Sequence, residues 1–168
     1  LNVQILHAGG NAGMFPGSGA TQALSALPAP RAFGNGYFDV NWNDVQLVPQ
    51  VTRMSCWAAA ASMVVGWRDR MSIDPAEIAR GTGRWAAYEK GLDPADVPTL
   101  AQAWGLVMEP PQCYTIDGFR RLLENNGPLW VAAVVPGLHA RVVTGLYGDG
   151  TPDGAAARRE PLPEIFHS

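Results

Sequence analysis

Residues Val48–Trp67, VPQVTRMSCWAAAASMVVGW, put one cysteine where an irregular stretch becomes an apolar run. From Ser55 onward the pattern is helical. Ser55 is a residue type that caps helix N-termini, and CWAAAASMVVGWRDR follows with four alanines and no proline. Gly66 is a local weakness in the run, and the arginines near its end suit a helix C-terminus. Cys56 therefore falls in the first turn of a helix. Backbone N–H groups are unpaired there, and the positive dipole end favours a thiolate.

Outward from this helix the signals alternate in type. SIDPAEIARG starts a second helix, with Asp74 as cap and Pro75 at the first helical position. LDPADVPTLAQAWG starts a third, with Asp93 and Pro94, although Pro98 marks a second possible start; Gly105 ends it. TIDGFRRLLENNG has Thr115 as cap, Phe119, Leu122 and Leu123 on one face, and Asn126-Gly127 as a stop. LVMEPPQCY reads as a strand that buries Cys113. PLWVAAVV and HARVVTGLY read as strands bounded by Gly and Pro. YFDVNWNDVQLVPQV carries strand-like pieces broken by Asn and Asp. Residues 1–36 are rich in Gly, Ala and Pro and read as a loose leader, with a short strand at VQIL. Helices precede strands, so the expected class is α+β, with a leader at 1–36 and a single domain at 37–168.

The 168 residues, 47% hydrophobic and 16% charged, suit one globular domain. A net charge of −3 gives no electrostatic reason to expect nucleic acid or an anionic membrane as partner. No apolar run reaches the roughly 18 residues of a membrane span. No basic stretch leads into an apolar one as in a secretory signal, which leaves a signal-independent route. The first residue is Leu1 rather than Met, as in a fragment or processed chain. Two cysteines make no disulfide framework, no Cys/His spacing suggests a metal, and no cofactor motif is present.

A lone cysteine is usually a buried structural thiol. Two further residues shift that reading here. Gln50, six positions earlier, lies on the loop into the helix. Its amide, with the Cys56 backbone N–H, can serve as a pair of oxyanion donors. His139 opens a Val-rich strand and is the one well-placed base, because His7 lies in the leader and His167 is one residue from the C-terminus. A third group must hold the imidazole. If His139–Leu146 and Ala155–Glu160 form a hairpin about Gly150, Glu160 lies roughly across from His139. Asp153 is the rival, but it and Asp149 sit in turn-forming sequence.

Gln50, then Cys56-Trp57 opening an Ala-rich helix, then GPLWVA and HARVVTG resemble papain-like cysteine peptidases. The 83 positions from Cys56 to His139 are similar to the compact bacterial branches, the avirulence-effector and bacteriocin-leader peptidases. The likeness runs from Val48 to Gly150. It implies a compact papain-like fold, with the catalytic cysteine on a helix start packed against a sheet that carries the histidine. It implies a cysteine endopeptidase without cofactor, using Cys56, His139 and an acid such as Glu160, with Trp57 a candidate for the substrate side. The family's acid is Asp or Asn, often before a proline; here Glu160 precedes Pro161. A glutamine deamidase or acyltransferase on the same Cys-His core, and a degraded binding module, are the alternatives. The resemblance further implies a toxin or effector delivered by a secretion system into a target cell. Its partners would be a protein substrate and a cognate immunity protein. Gly9-Gly10 resembles the paired glycines after which the bacteriocin-leader branch cuts.

Overall fold

A computed structural model describes residues 3–9, 38–133 and 138–148 in full, and residue 134 and residues 155–160 as backbone. Six strands and five helices follow in the order β1 (Val3–His7), β2 (Phe38–Asn41), α1 (Cys56–Asp69), α2 (Pro75–Gly81), α3 (Ala87–Lys90), α4 (Val97–Trp104), β3 (Val107–Met108), α5 (Ile116–Asn126), β4 (Leu129–Val134), β5 (Leu138–Gly148) and β6 (Ala155–Glu160). The class is α+β, as expected. The sheet is antiparallel in the order β2-β5-β4-β1-β3, with β6 paired to β5.

Helices do not simply precede strands. The strand at VQIL extends to His7 and lies between β4 and β3, with Ile5 against Val131 and Leu6 against both Trp130 and Met108. Its residues Ile5, Leu6 and His7 are buried. Residues 10–36 of the expected leader, and residue 37 after it, lie outside the described residues. LVMEPPQCY shrinks to the two-residue β3, and Cys113 is exposed in the loop that follows. Pro110 and Pro111 remove two ladder N–H groups, which stops the strand before Cys113.

The helix starts follow their capping residues. Asp74 accepts the Ala76 N–H at 2.8 Å, and Thr115 accepts the Gly118 N–H at 3.0 Å. Asp93 caps a 3-10 turn over Pro94–Asp96 that leads into α4, where Pro98 sits in the first turn. Gly66 has a packing reason: a Cβ there would lie 2.6 Å from the Met71 carbonyl oxygen, where the chain doubles back.

Alternation along β4 divides the core. Trp130 and Ala132 join Leu6, Ala140 and Val142 under α1, α2 and α4. Leu129 joins Ile5, Val143 and Leu146 with Trp67, at the far end of α1, and with Leu123 of α5. Trp67 also packs directly over Gly127, which precedes β4. The C-terminal end of α1 thus lies by the start of β4 and residues 143–146 of β5. Its first turn shares a cluster with Ala132 and Ala140, near the start of β5.

Candidate active site

The loop into α1 is tied down by its own side chains. Thr52 N–H donates to Ser55 Oγ at 3.0 Å, and Ser55 Oγ donates back to the Thr52 carbonyl at 3.1 Å. Thr52 Oγ1 donates to the Tyr88 carbonyl of α3, and the Trp57 indole donates to the Ala87 carbonyl at 3.1 Å. Ser55 thus occupies the N-cap position without capping, because its hydroxyl is bound to Thr52. The Ser55 carbonyl takes the Ala58 and Ala59 N–H groups. Among the described residues, nothing accepts the Cys56 N–H. Sequence reasoning missed Thr52, Tyr88 and Ala87, because a Thr-x-x-Ser loop shows its partners only when α3 is in place.

Cys56 is buried at the tip of α1, and its sulfur makes no hydrogen bond with a described residue. The Gln50 amide donates to the Thr52 carbonyl at 2.7 Å. A glutamine amide carries two N–H donors, so this bond leaves one available. Trp57 is fully buried and holds α3 through its N–H, while its carbonyl accepts the Trp130 indole at 3.1 Å. It belongs to the core, not to a substrate wall. An indole wedged between α1, α3 and β4 has no free surface to offer a ligand.

His139 is the second residue of β5, paired with Ala133, and its side chain is exposed. Its neighbours Leu138 and Ala140 both pack into the cluster that contains Cys56. Strand alternation turns Leu138, Ala140 and Val142 toward α1 and leaves His139 and Arg141 outward. Cys56 thus shares a cluster with the two residues that flank His139, and the His139 side chain lies on the opposite, exposed face of β5. Glu160 lies on the expected hairpin partner, but opposite Val142, three residues beyond His139. That is about 10 Å along the strand. The offset is set where the hairpin closes, with Gly148 opposite Ala155, and the register shift between Val143 and Gly145 brings Glu160 one residue nearer to His139 than an unbroken ladder would. Asp149 and Asp153 lie outside the described residues, as does the side chain of Glu160. Among the described residues no cluster of His, Cys, Asp and Glu could hold a metal, and no helix is long and apolar enough to cross a membrane.

No curated protein and no solved structure matches this chain. The model of a family described as papain-like cysteine protease AvrRpt2 matches residues 37–164, which include α1, the whole of β4 and β5, and the loop carrying Gln50. The helix-borne cysteine and the strand-borne histidine fall within that span, and the chain belongs to the papain-like cysteine protease AvrRpt2 family.

Proposed function

We propose that Cys56 is the nucleophile and His139 the base of this cysteine protease. The observation that carries the reading is the course of α1. Its first turn packs into the cluster that also holds Leu138 and Ala140, the residues on either side of His139, and among the described residues nothing accepts the Cys56 N–H. Catalytic hydrogen bonds are often unformed before substrate binds. In this proposal the His139 ring, exposed on the face of β5 away from α1, swings over the strand end to reach the thiol. The imidazole takes the Cys56 proton, and the thiolate attacks the scissile carbonyl carbon. The Cys56 N–H and the second Gln50 amide N–H hold the oxyanion. The tetrahedral adduct collapses as His139 protonates the leaving amine. Water then hydrolyses the thioester, releasing the acid and restoring the thiol.

Glu160 is proposed as the third member, reached from β6. Its backbone register is opposite Val142, so its carboxylate must reach along β5 to meet His139. The family membership supports action on a protein substrate as an effector inside a target cell; delivery by a secretion system and inhibition by a cognate immunity protein are further parts of the proposal.

The test uses unfolded casein as substrate. Cleavage by the wild type, with no fragments from Cys56→Ala or His139→Ala, is the expected result. Full cleavage by either variant removes the assignment. Iodoacetamide at pH 5.5 gives a second readout. Cys56 is expected to be alkylated faster in the wild type than in His139→Ala, with the exposed Cys113 as internal comparison. The effector role predicts arrested growth of a target cell that expresses the domain, relieved by Cys56→Ala.

A further inference from the structure

Thr52 has its N–H, its carbonyl and its hydroxyl all bound. The N–H donates to Ser55 Oγ at 3.0 Å. The carbonyl accepts from the Ser55 N–H at 3.2 Å, from Ser55 Oγ at 3.1 Å and from the Gln50 amide at 2.7 Å. The hydroxyl donates to the Tyr88 carbonyl at 2.5 Å. Tyr88 belongs to the four-residue α3, a helix so short that its carbonyls lie in the last turn and are open to outside donors. The preceding carbonyl, that of Ala87, accepts from the Trp57 indole at 3.1 Å. Two adjacent carbonyls of α3 thus hold the chain on both sides of Cys56, at Thr52 and at Trp57. Ser55, which completes the lock, is fully buried.

An oxyanion donor works because it is aimed before charge develops. A glutamine side chain has three rotatable bonds and, left free, spreads over many rotamers. The bond to the Thr52 carbonyl selects among them. It also decides which end of the amide faces the loop, because a carbonyl accepts from the NH2 and repels the amide oxygen. The nitrogen keeps its second N–H for an outside acceptor. The aim of that N–H is therefore set by the place of the Thr52 carbonyl, and the Thr52 hydroxyl ties that carbonyl to α3. We infer that Thr52 is a positioning residue for the reaction: anchored through its hydroxyl to the Tyr88 carbonyl, it aims the Gln50 amide at the oxyanion. The inference rests on Cys56 as nucleophile and Gln50 as oxyanion donor. The oxyanion forms only after attack, so a misaimed donor should show in kcat and not in KM.

The experiment is a double-mutant cycle on a quenched fluorescent peptide built from a casein site that the wild type cuts. Thr52→Val keeps the side-chain shape and removes the hydroxyl, whereas Thr52→Ser keeps the hydroxyl. Thr52→Val should lower kcat about 10–100-fold with KM changed less than about twofold, and Thr52→Ser should stay within about threefold of the wild-type kcat. Added to Gln50→Ala, Thr52→Val should cost less than about threefold more, because no amide is left to aim. A residue that only stabilised the loop would multiply its loss onto that of Gln50→Ala. Each variant is checked for a cooperative melt, and Ser55→Ala, which removes the other hydroxyl bound to the Thr52 carbonyl, takes the place of Thr52→Val in the cycle if that variant does not fold. Multiplying losses, or full kcat in Thr52→Val beside a slow Gln50→Ala, overturn the inference and leave the peptidase standing. Full kcat in Gln50→Ala removes the oxyanion assignment and the inference with it. Absence of any Cys56-dependent cut removes the whole reading.

Discussion

On the proposed assignment Cys56 and Gln50 divide the work at the residue scale, and their variants should differ in kind. Cys56→Ala removes the bond-forming atom and is expected to abolish cleavage. Gln50→Ala removes one of two oxyanion donors and should lower kcat by about 10²–10³, with KM changed little. Measuring kcat and KM separately checks this, because a Gln50 that only braced its loop through the Thr52 carbonyl would change both constants together. Gly127 is a residue of a different sort. Its φ is +78°, and a Cβ there would lie 2.2 Å from the Trp67 ring. Gly127→Ala therefore combines backbone strain with overpacking and should destabilise by about 2–4 kcal/mol in urea unfolding. The cysteine, glutamine and histidine stand out in the sequence as candidates because each is a chemical type at a telling position. The burial of Trp57 was not legible, since a tryptophan beside a nucleophile suits a channel wall and a core equally well until α3 is seen to close over it.

At the scale of elements, the C-terminal end of α1 is anchored by contacts that its own sequence does not show. Arg68, in its last turn, donates to the Trp104 and Gly105 carbonyls at 2.8 and 3.1 Å, and so satisfies the end of α4 rather than its own. Asp44, on the loop after β2, accepts the Trp67 indole N–H at 2.9 Å and pairs with Arg70. Partial burial pushes the Asp44 carboxyl up, but the Arg70 and Trp67 hydrogen bonds outweigh it and hold the group below its ordinary value. The fold thus prefers the carboxylate. That contribution is complete above the unfolded carboxyl value of about 3.9 and is lost as pH falls below it, through the lowered folded value. Asp44→Asn should flatten this part of the acid limb of a thermal-melt profile and change neutral-pH stability by less than about 1 kcal/mol, because the pair is half exposed. An unchanged acid limb would show that the loop contact is incidental.

For the whole molecule, the decisive strand is β1. It lies before residue 37, where the family match begins, yet it is hydrogen-bonded to β4 on one edge and β3 on the other. Its Leu6 is fully buried, and its His7 ring bonds Glu109 Oε1 at 2.7 Å while accepting the Gly9 N–H at 3.0 Å. Leu6→Ala should destabilise by about 2–5 kcal/mol, as at other well-packed leucines. Removing residues 1–9 should strip both flanking edges of their partner and give a protein that aggregates or melts without cooperativity. Calorimetry of the two variants beside the full chain checks this, and a cooperative transition near the wild-type temperature for the deletion would refute it.

The sequence by itself determined the helices with capping residues, the strands with Val-rich runs, and the residue types able to do thiol chemistry. Those signals act within a few positions, through local hydrogen bonds and side-chain period. Only the tertiary structure decided that β1 belongs in the sheet, that Ser55 binds Thr52 instead of capping, that Cys113 faces solvent, and that Glu160 stands opposite Val142. Each of these depends on which distant backbone edge or side chain arrives to compete for the same hydrogen bond or packing space, and a linear pattern does not encode that competition.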